Sequence, residues 1–593
     1  MEGNIMTKMP KIVVTKLLLV AMVLSLTACG GGGAGSDTSF TMWIYSGEDS
    51  AYYADYAENP VLQYTQMKTW GPEDKKIAIE FWVPAAGTQV DNYSTMMGSG
   101  DFPDILDGCI SDSPKIMYEE GIILDLTDYI NEYMPNYKAW LDKNPGIRSN
   151  ITFNVDGKDR ILSICGINED YPYQFQGTMY RRDWLVKYGT NPTTGAAFTG
   201  GYQDANDVDS WSDDVVFPSG GTDPVYISDW EWMFEIFDKA RAAEGIDGGY
   251  VTSVYYPGFT WNGGLCSCFG GGTTMWSAHP ETDEARFGGD STHFRAYLEC
   301  LNTWYEKGWL DKNFNERTAD IFYDIDSTTV RQGKVGLWVG QTSQLGGRMD
   351  LNDGGHTEGI YVAGCALPIN DVYGTDADKF VEPDCIFGTG LQGTNYYLTS
   401  AIEGKDIATL CTYFDYFYSE EGALMRSLGL NAEQVAELDN GQYESWGLTE
   451  GAYYVGDDGR YCRAETIVND TGSLKGAAVL QKFPGVSLVS SIDEGYAENY
   501  ENSLKSWLKY PNTSFYQGSA VTSNMTPEDA TIAGNIQTKV LEFMSVEAVK
   551  FIKGEKKIES EEDWGYWCTM LKKYNYQKVI DIIQPYLDLF DFV

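Results

Sequence analysis

The chain has 593 residues, 43% of them hydrophobic, which is enough length for more than one domain and enough apolar material for large cores. It carries 86 acids against 42 bases, a formal charge of −44, and so acidic a body repels phosphate backbones and excludes nucleic acid as a partner. Eleven cysteines follow no disulfide-framework spacing. With three histidines, and Cys266 and Cys268 lacking a second pair, there is no zinc motif, so no metal or cofactor is expected.

Lys8, Lys11 and Lys16 precede an apolar run from Leu17 to Leu26 that is too short to span a bilayer. Leu26-Thr27-Ala28-Cys29 follows, so the order is that of a secretory signal. Its last four residues resemble the bacterial lipobox, which puts Cys29 at the lipid-modified position. Gly30 to Ser36 reads as a flexible tether. An ordinary signal peptide with Cys29 as a bystander is the alternative. On the lipoprotein reading the mature chain starts at Cys29 and sits on the extracellular face of the cytoplasmic membrane, held by acyl chains. Residues 1–28 carry a net +2, so the mature chain carries −46.

Phe40 to Tyr45 and Ile77 to Val83 read as strands, with a helical stretch around Tyr52 to Trp70 between them, a βαβ opening. Gly100 to Leu106 turns into a third strand. Leu126 to Leu141 is amphipathic, and Asp156-Gly157 is a hairpin turn before Arg160 to Ile164. Residues 190–228 form a polar, acidic, glycine-rich insertion. Ser228 to Glu231 reads as a capping box ahead of a stripe of Met233, Ile236, Phe237 and Ala240. Phe294, Tyr297, Leu298, Leu301 and Tyr305 make a second helical stripe. Ile407, Leu410, Cys411, Phe414, Phe417 and Tyr418 make a third. The C-terminal stretch with Trp564, Trp567, Tyr574 and Tyr576 is also helical in pattern. Strands alternating with helices make the chain α/β. Gly388 to Gly393 matches G-x-G-x-x-G, but Thr394 to Leu398 continues as a strand, so a hinge-region loop is expected and not a dinucleotide site.

Several segments, in order, resemble family 1 extracellular solute-binding proteins, in particular the long oligosaccharide-binding lipoproteins of Gram-positive bacteria. Gly98-Ser99-Gly100-Asp101-Phe102-Pro103-Asp104-Ile105 is similar to the family's A-S-G-D-x-P-D-I element. Asp156-Gly157-Lys158, followed by Ile161-Leu162-Ser163, resembles its D-G-K-x-Y-x-x-P crossover, and Tyr180 to Leu185 (YRRDWL) its R-x-D-W-L helix start. Trp304 to Leu310 resembles W-Y-x-E-G-L-I, Gly333 to Trp338 resembles G-K-x-G-x-W, Tyr416 to Gly422 resembles Y-x-Y-S-x-E-G, and Phe551 to Gly554 resembles F-I-x-G. The resemblance implies a two-lobed, periplasmic-binding-protein-like fold of type 2, with discontinuous lobes and an interlobe cleft. After a signal (1–28) and an anchor with tether (29–39), lobe 1 takes 40–168 and returns at 386–445. Lobe 2 takes 169–385, including the insertion, and 446–593 with the C-terminal helices. Crossings are expected near Ile164 to Tyr171, Asp384 to Thr394 and Tyr443 to Leu448. Many long members carry a calcium-loop-like acidic turn. Here neither Ala242 to Gly248 nor Asp204 to Asp214 has the alternating oxygens for one, so no metal is expected there.

Open α/β sheets bind ligands at the carboxyl ends of their strands. That places Tyr45 and Glu48 after the first strand and Asp107 after the third as ligand contacts, in line with the family. Trp261, Asn262 and Trp276 lie in glycine-rich loops suited to close approach, and Trp338 and Gln341 end a further strand. Asn395, Tyr396 and Trp446 lie near the expected crossings. Tyrosine and tryptophan offer flat apolar faces with polar edges, which suits sugars, although most of these rings must serve the cores. The resemblance implies an oligosaccharide ligand, permease subunits of an ABC importer as partners, a monomer, and no catalysis. A neutral sugar is expected, because the loops hold Glu48 and Asp107 and few bases; only distant arginines such as Arg181 or Arg463 could change that. The readings that stay open are a surface glycoside hydrolase or lyase, since 86 acids allow many carboxylate pairs, and a sensing partner of a membrane kinase.

Overall fold

The computed structural model describes residues 38–588 apart from 46–51, 53, 86, 110–112, 170–172, 175, 200–213, 255–264, 271–275, 280–281, 283, 317–328, 331, 342–344, 346–359, 384–388, 391–393, 458, 469–473, 489–490, 494–496 and 511–524. Cys29, Glu48, Trp261, Asn262 and most of the acidic insertion therefore lie outside the described residues.

The strands that position the site are β1 (Ser39–Trp43), β2 (Ala78–Trp82), β3 (Ile105–Asp107), β4 (Ile164–Cys165), β5 (Ile167–Asn168), β6 (Gln176–Arg181), β7 (Leu337–Gln341), β8 (Val362–Cys365), β9 (Asn395–Leu398), β10 (Tyr461–Arg463) and β11 (Val486–Ser487). The first sheet has the order β2-β1-β3-β9-β4. Strands β1, β2 and β3 are parallel, as the βαβ opening requires, and β9 runs antiparallel to β3 and β4. Because side chains alternate along a strand, Phe40, Met42, Ile105 and Leu398 enter one hydrophobic cluster while Trp43, Leu106 and Tyr397 enter another on the opposite face.

The second sheet, β7-β6-β8, is built the same way. Tyr180, Leu337 and Ala363 face the largest cluster, where helices α1 (Ile227–Ala243) and α2 (Thr292–Lys307) pack with the expected stripes. Met179, Trp338 and Val362 face the other side, against Tyr500 and Trp507 of helix α5 (Ala497–Trp507). That helix packs closely because Gly177 has no side chain: a Cβ there would lie 2.3 Å from the Trp507 ring, whose Nε1 donates to the Thr178 carbonyl at 2.9 Å. The third stripe belongs to α3 (Ile407–Tyr416), which packs with α4 (Glu420–Leu428) in the first sheet's cluster.

Adjacent strands link the two sheets. Cys165 pairs with Asn395, and Tyr173 and Gln174 pair with Gly390 and Thr389. Ile167 and Asn168 pair in parallel with Val486 and Ser487. Residues 446–593 do not pack as one unit. Leu448, Ala452, Ile467, Val479 and Val486 belong to the first sheet's cluster, and the change to the second sheet's side falls between Val486 and Tyr500. The Gly388–Gly393 segment leads into strand β9, not a helix.

Three local expectations change in the structure. The segment from Leu126 to Leu141 is two helices, Thr127–Tyr133 and Pro135–Lys143, because Pro135 lacks an N–H and starts a new helix at its first position. Helix α1 begins one residue before Ser228. Asp229 accepts the N–H groups of Val225 (2.8 Å) and Tyr226 (3.1 Å), while the Ser228 hydroxyl turns to Asp371 at 2.5 Å. The hairpin turn at Asp156 and Gly157, with φ of 54° and 73°, joins Thr152–Val155 to Lys158–Ile161, so the second strand starts two residues earlier than expected.

Two of the recurring motifs turn out to be clamps. Asp104 is buried and accepts the Thr41 N–H at 2.6 Å and the Lys405 ammonium at 2.6 Å, which fastens β3 to β1. Arg181 is 3% exposed and forms a bidentate pair with Asp183, Nε to Oδ1 at 2.8 Å and Nη2 to Oδ2 at 2.5 Å. Its remaining Nη1 donates to the Gly333 carbonyl at 2.6 Å, so this arginine is committed to the fold.

Candidate functional site

A cavity of about 460 Å³ opens where β1 and β3 end, within the roughly 300–1,000 Å³ of small-molecule sites. Tyr45 and Asp107 line it from the ends of β1 and β3, with Tyr396 beside them on β9. Arg426 reaches it from α4, Arg463 from the end of β10, and Gln481 and Lys482 from the loop before β11. These elements converge through long-range contacts: Asn59 alone donates to the carbonyls of Ala478 and Leu480, 3.2 and 2.8 Å away.

The strand register sets the geometry. Tyr396 sits opposite Asp107 across the β9–β3 pair. Gly108 follows directly, and its N–H donates to the Asn395 carbonyl at 2.7 Å. A Cβ there would lie 2.4 Å from the Tyr397 ring, so only glycine allows this approach. Asp107 accepts the Tyr45 N–H at 3.1 Å through Oδ2 and the Cys109 N–H at 2.9 Å through Oδ1. Burial pushes its carboxyl above the usual range, and these two bonds and the Lys482 charge only partly offset that. The Tyr396 hydroxyl donates to the Lys482 carbonyl, and burial raises its pKa strongly.

The opposite wall is basic. Arg426 donates from Nε to the Phe483 carbonyl at 3.0 Å and from Nη1 to the Ser487 hydroxyl. Burial lowers its pKa from the usual guanidinium value. Arg463 Nη1 donates to the Ser427 carbonyl at 3.3 Å. Gln481 is 3% exposed, and its Nε2 has no hydrogen-bond partner.

Of the residues expected from sequence, the structure brings Tyr45, Asp107 and Tyr396 together in this cavity. Asn395 is adjacent in β9; its carbonyl serves Gly108, and its side-chain Oδ1 lies 3.5 Å from the Ser163 hydroxyl. Trp446 packs edge-on against Tyr52, at 5.3 Å, on the first core. Trp338 is 2% exposed inside the second sheet's cluster, and Gln341 ends β7 in register with Gln176. Trp276 packs against Phe287 at 4.8 Å and donates to the Tyr576 carbonyl at 3.5 Å, beside the C-terminal helices. Sequence reasoning missed Arg426, Gln481 and Lys482, and it named Arg463 only as a distant possibility. A signal for Arg426 was present: it is a charge among Ala423, Met425 and Leu428 on the buried side of α4. Among the described residues no group of three or more His, Cys, Asp or Glu gathers as a metal site, and no helix is long and apolar enough to cross a membrane.

Two sheets, each between hydrophobic layers and joined by side-by-side crossing strands, make the two-lobed fold of extracellular solute-binding proteins. No family model and no curated protein sequence matches the chain. Solved structures do. An extracellular solute-binding protein from Bifidobacterium longum subsp. infantis superposes with a TM-score of 0.61 at 15% identity, over 94% of this chain and 99% of that one. An EF-hand mutant of the substrate-binding protein FusA of a Streptococcus pneumoniae ABC transporter, in complex with fructo-nystose, does so with a TM-score of 0.59 at 14% identity, over 93% and 99%. The alginate-binding protein AlgQ2 does so with a TM-score of 0.57 at 16% identity, over 94% and 99%. All three are binding proteins by name.

Proposed function

We propose that the chain is an extracellular, lipid-anchored solute-binding protein that captures an oligosaccharide and delivers it to an ABC importer. The observation that carries this reading is the agreement in fold, over 94% of the chain, with a solute-binding protein. The cavity at the ends of β1 and β3 supports it, since this is where open α/β sheets hold ligands. Packing favours a lobe 1 of residues 40–168 and 386–493 and a lobe 2 of 169–385 and 494–593, closing on the ligand as rigid bodies.

Binding without turnover fits the lining. Glycoside hydrolysis ordinarily uses two carboxyl groups, and among the described lining residues Asp107 is the only one. Calorimetry of the full chain against an oligosaccharide panel, with chromatography of the sugars afterwards, tests the reading. A bound sugar recovered intact is the expected result. Product formation abolished by one carboxylate substitution would make the protein a hydrolase or lyase. The anchor rests on Leu26 to Cys29, and Cys29→Ala is expected to release the protein to the medium or leave an unprocessed precursor. Normal processing and membrane retention of that variant would remove the anchor from the proposal.

A further inference from the structure

The charges around the cavity run against those of the chain. Acids outnumber bases 86 to 42 overall, but among the described residues lining the cavity the charged ones are Arg426, Arg463 and Lys482 against Asp107. Asp107 offers little compensation, because its oxygens already accept two backbone N–H groups and burial favours its neutral form.

Arg426 is the most telling of the three. Its hydrogen bonds go to a carbonyl and a hydroxyl, both neutral, and leave Nη2 without a protein acceptor. Five other arginines among the described residues meet carboxylates, Arg148 with Asp142, Arg160 with Asp125, Arg181 with Asp183, Arg295 with Glu561 and Arg460 with Glu501, whereas Arg241, like Arg426, donates to neutral acceptors, the carbonyls of Gly248 and Gly249. A guanidinium partly withdrawn from water without an anion is costly, and a fork of donors beside a cavity matches an oxyanion in bidentate geometry. Gln481 adds a buried amide to the same wall, with its Nε2 unpartnered.

We propose that this cavity holds an oxyanion carried by a saccharide, a carboxylate or a sulfate, on Arg426 and Arg463 with Lys482 beside them. This rests on the solute-binding reading and replaces the neutral sugar expected from sequence. That expectation considered only the loops after β1 and β3, whereas the bases arrive from segments more than 300 residues later.

Matched pairs test it: oligogalacturonates against their methyl esters, and sulfated against unsulfated galacto-oligosaccharides, titrated calorimetrically into the full chain. The acid or the sulfate is expected to bind at least about ten-fold tighter than its neutral partner. The advantage should shrink between roughly 50 and 300 mM salt, as screening requires. Arg426→Gln and Arg463→Gln should each remove most of that advantage, bringing the acid or the sulfate close to the affinity of its neutral partner for the same variant. The Arg463 variant provides the test should Arg426→Gln fold poorly. Tighter or equal binding of the neutral members overturns the oxyanion site and leaves the solute-binding reading standing. A charge preference that survives both substitutions overturns the assignment to these residues. No binding by any member of either class contradicts the solute-binding reading, and the oxyanion site with it.

Discussion

Arg181 is buried beside the second sheet, Arg426 is half-buried in the cavity wall, and their surroundings differ. Every direction Arg181 offers is answered by protein: both Asp183 oxygens, the Gly333 carbonyl, and the Trp184 ring 3.9 Å below the guanidinium. Arg426 has two neutral acceptors and an open cavity. A buried charge satisfied from within serves the fold, whereas one left short of an anion beside a cavity serves a ligand. The difference also separates two arginines that the sequence presents alike.

The comparison is sharpest in stability. Asp183→Ala strands the Arg181 guanidinium in a dry site and is expected to lower unfolding free energy by about 3–5 kcal/mol in urea titration. A loss below about 1 kcal/mol would mean that Arg181 finds water or another partner, and the contrast would weaken. Arg426→Gln strands no carboxylate and removes only two hydrogen bonds, so a loss of about 1–3 kcal/mol is expected. If it matches Asp183→Ala, Arg426 is a structural clamp as well.

Asp107 gives a smaller, pH-dependent effect. Its folded-state pKa is raised by burial. Its contribution to stability is therefore full below the ordinary carboxylate value and is lost as pH rises through the folded value. Asp107→Asn removes that loss. Its melting temperature relative to wild type should climb from acid to neutral pH, by a few degrees at most. A difference that is flat or falls with pH would show that the carboxylate is welcome in the cavity, and would reduce the electropositive character assigned to it.

Much of this fold was legible because it is written in short-range periodicity. The three helical stripes, the βαβ opening and the strand ends at Tyr45 and Asp107 are local patterns, and local pattern decides which face of an element is buried. What was not legible depends on contacts between residues far apart in the chain. The glycines at 441 and 447 look like a linker, and a crossing was expected beside them. In the structure Tyr443 and Leu448 stay in the first core, and the chain remains there through Val486. In sequence Trp276 stands out for its glycine-rich loop and Trp338 for its place at the end of a strand; in the structure Trp276 packs on Phe287 and Trp338 lies in the second sheet's cluster. The basic wall is the largest omission, because α4, β10 and the 480–482 loop meet β1 and β3 only once the chain is folded.

The central claim is that the two lobes close on a saccharide. Small-angle X-ray scattering of the full chain, with and without a saturating oligosaccharide identified by calorimetry, tests it most directly. A smaller radius of gyration in the bound state is the predicted result. Saturation with an unchanged radius of gyration would contradict closure and leave a rigid sugar-binding site in place of a transport protein.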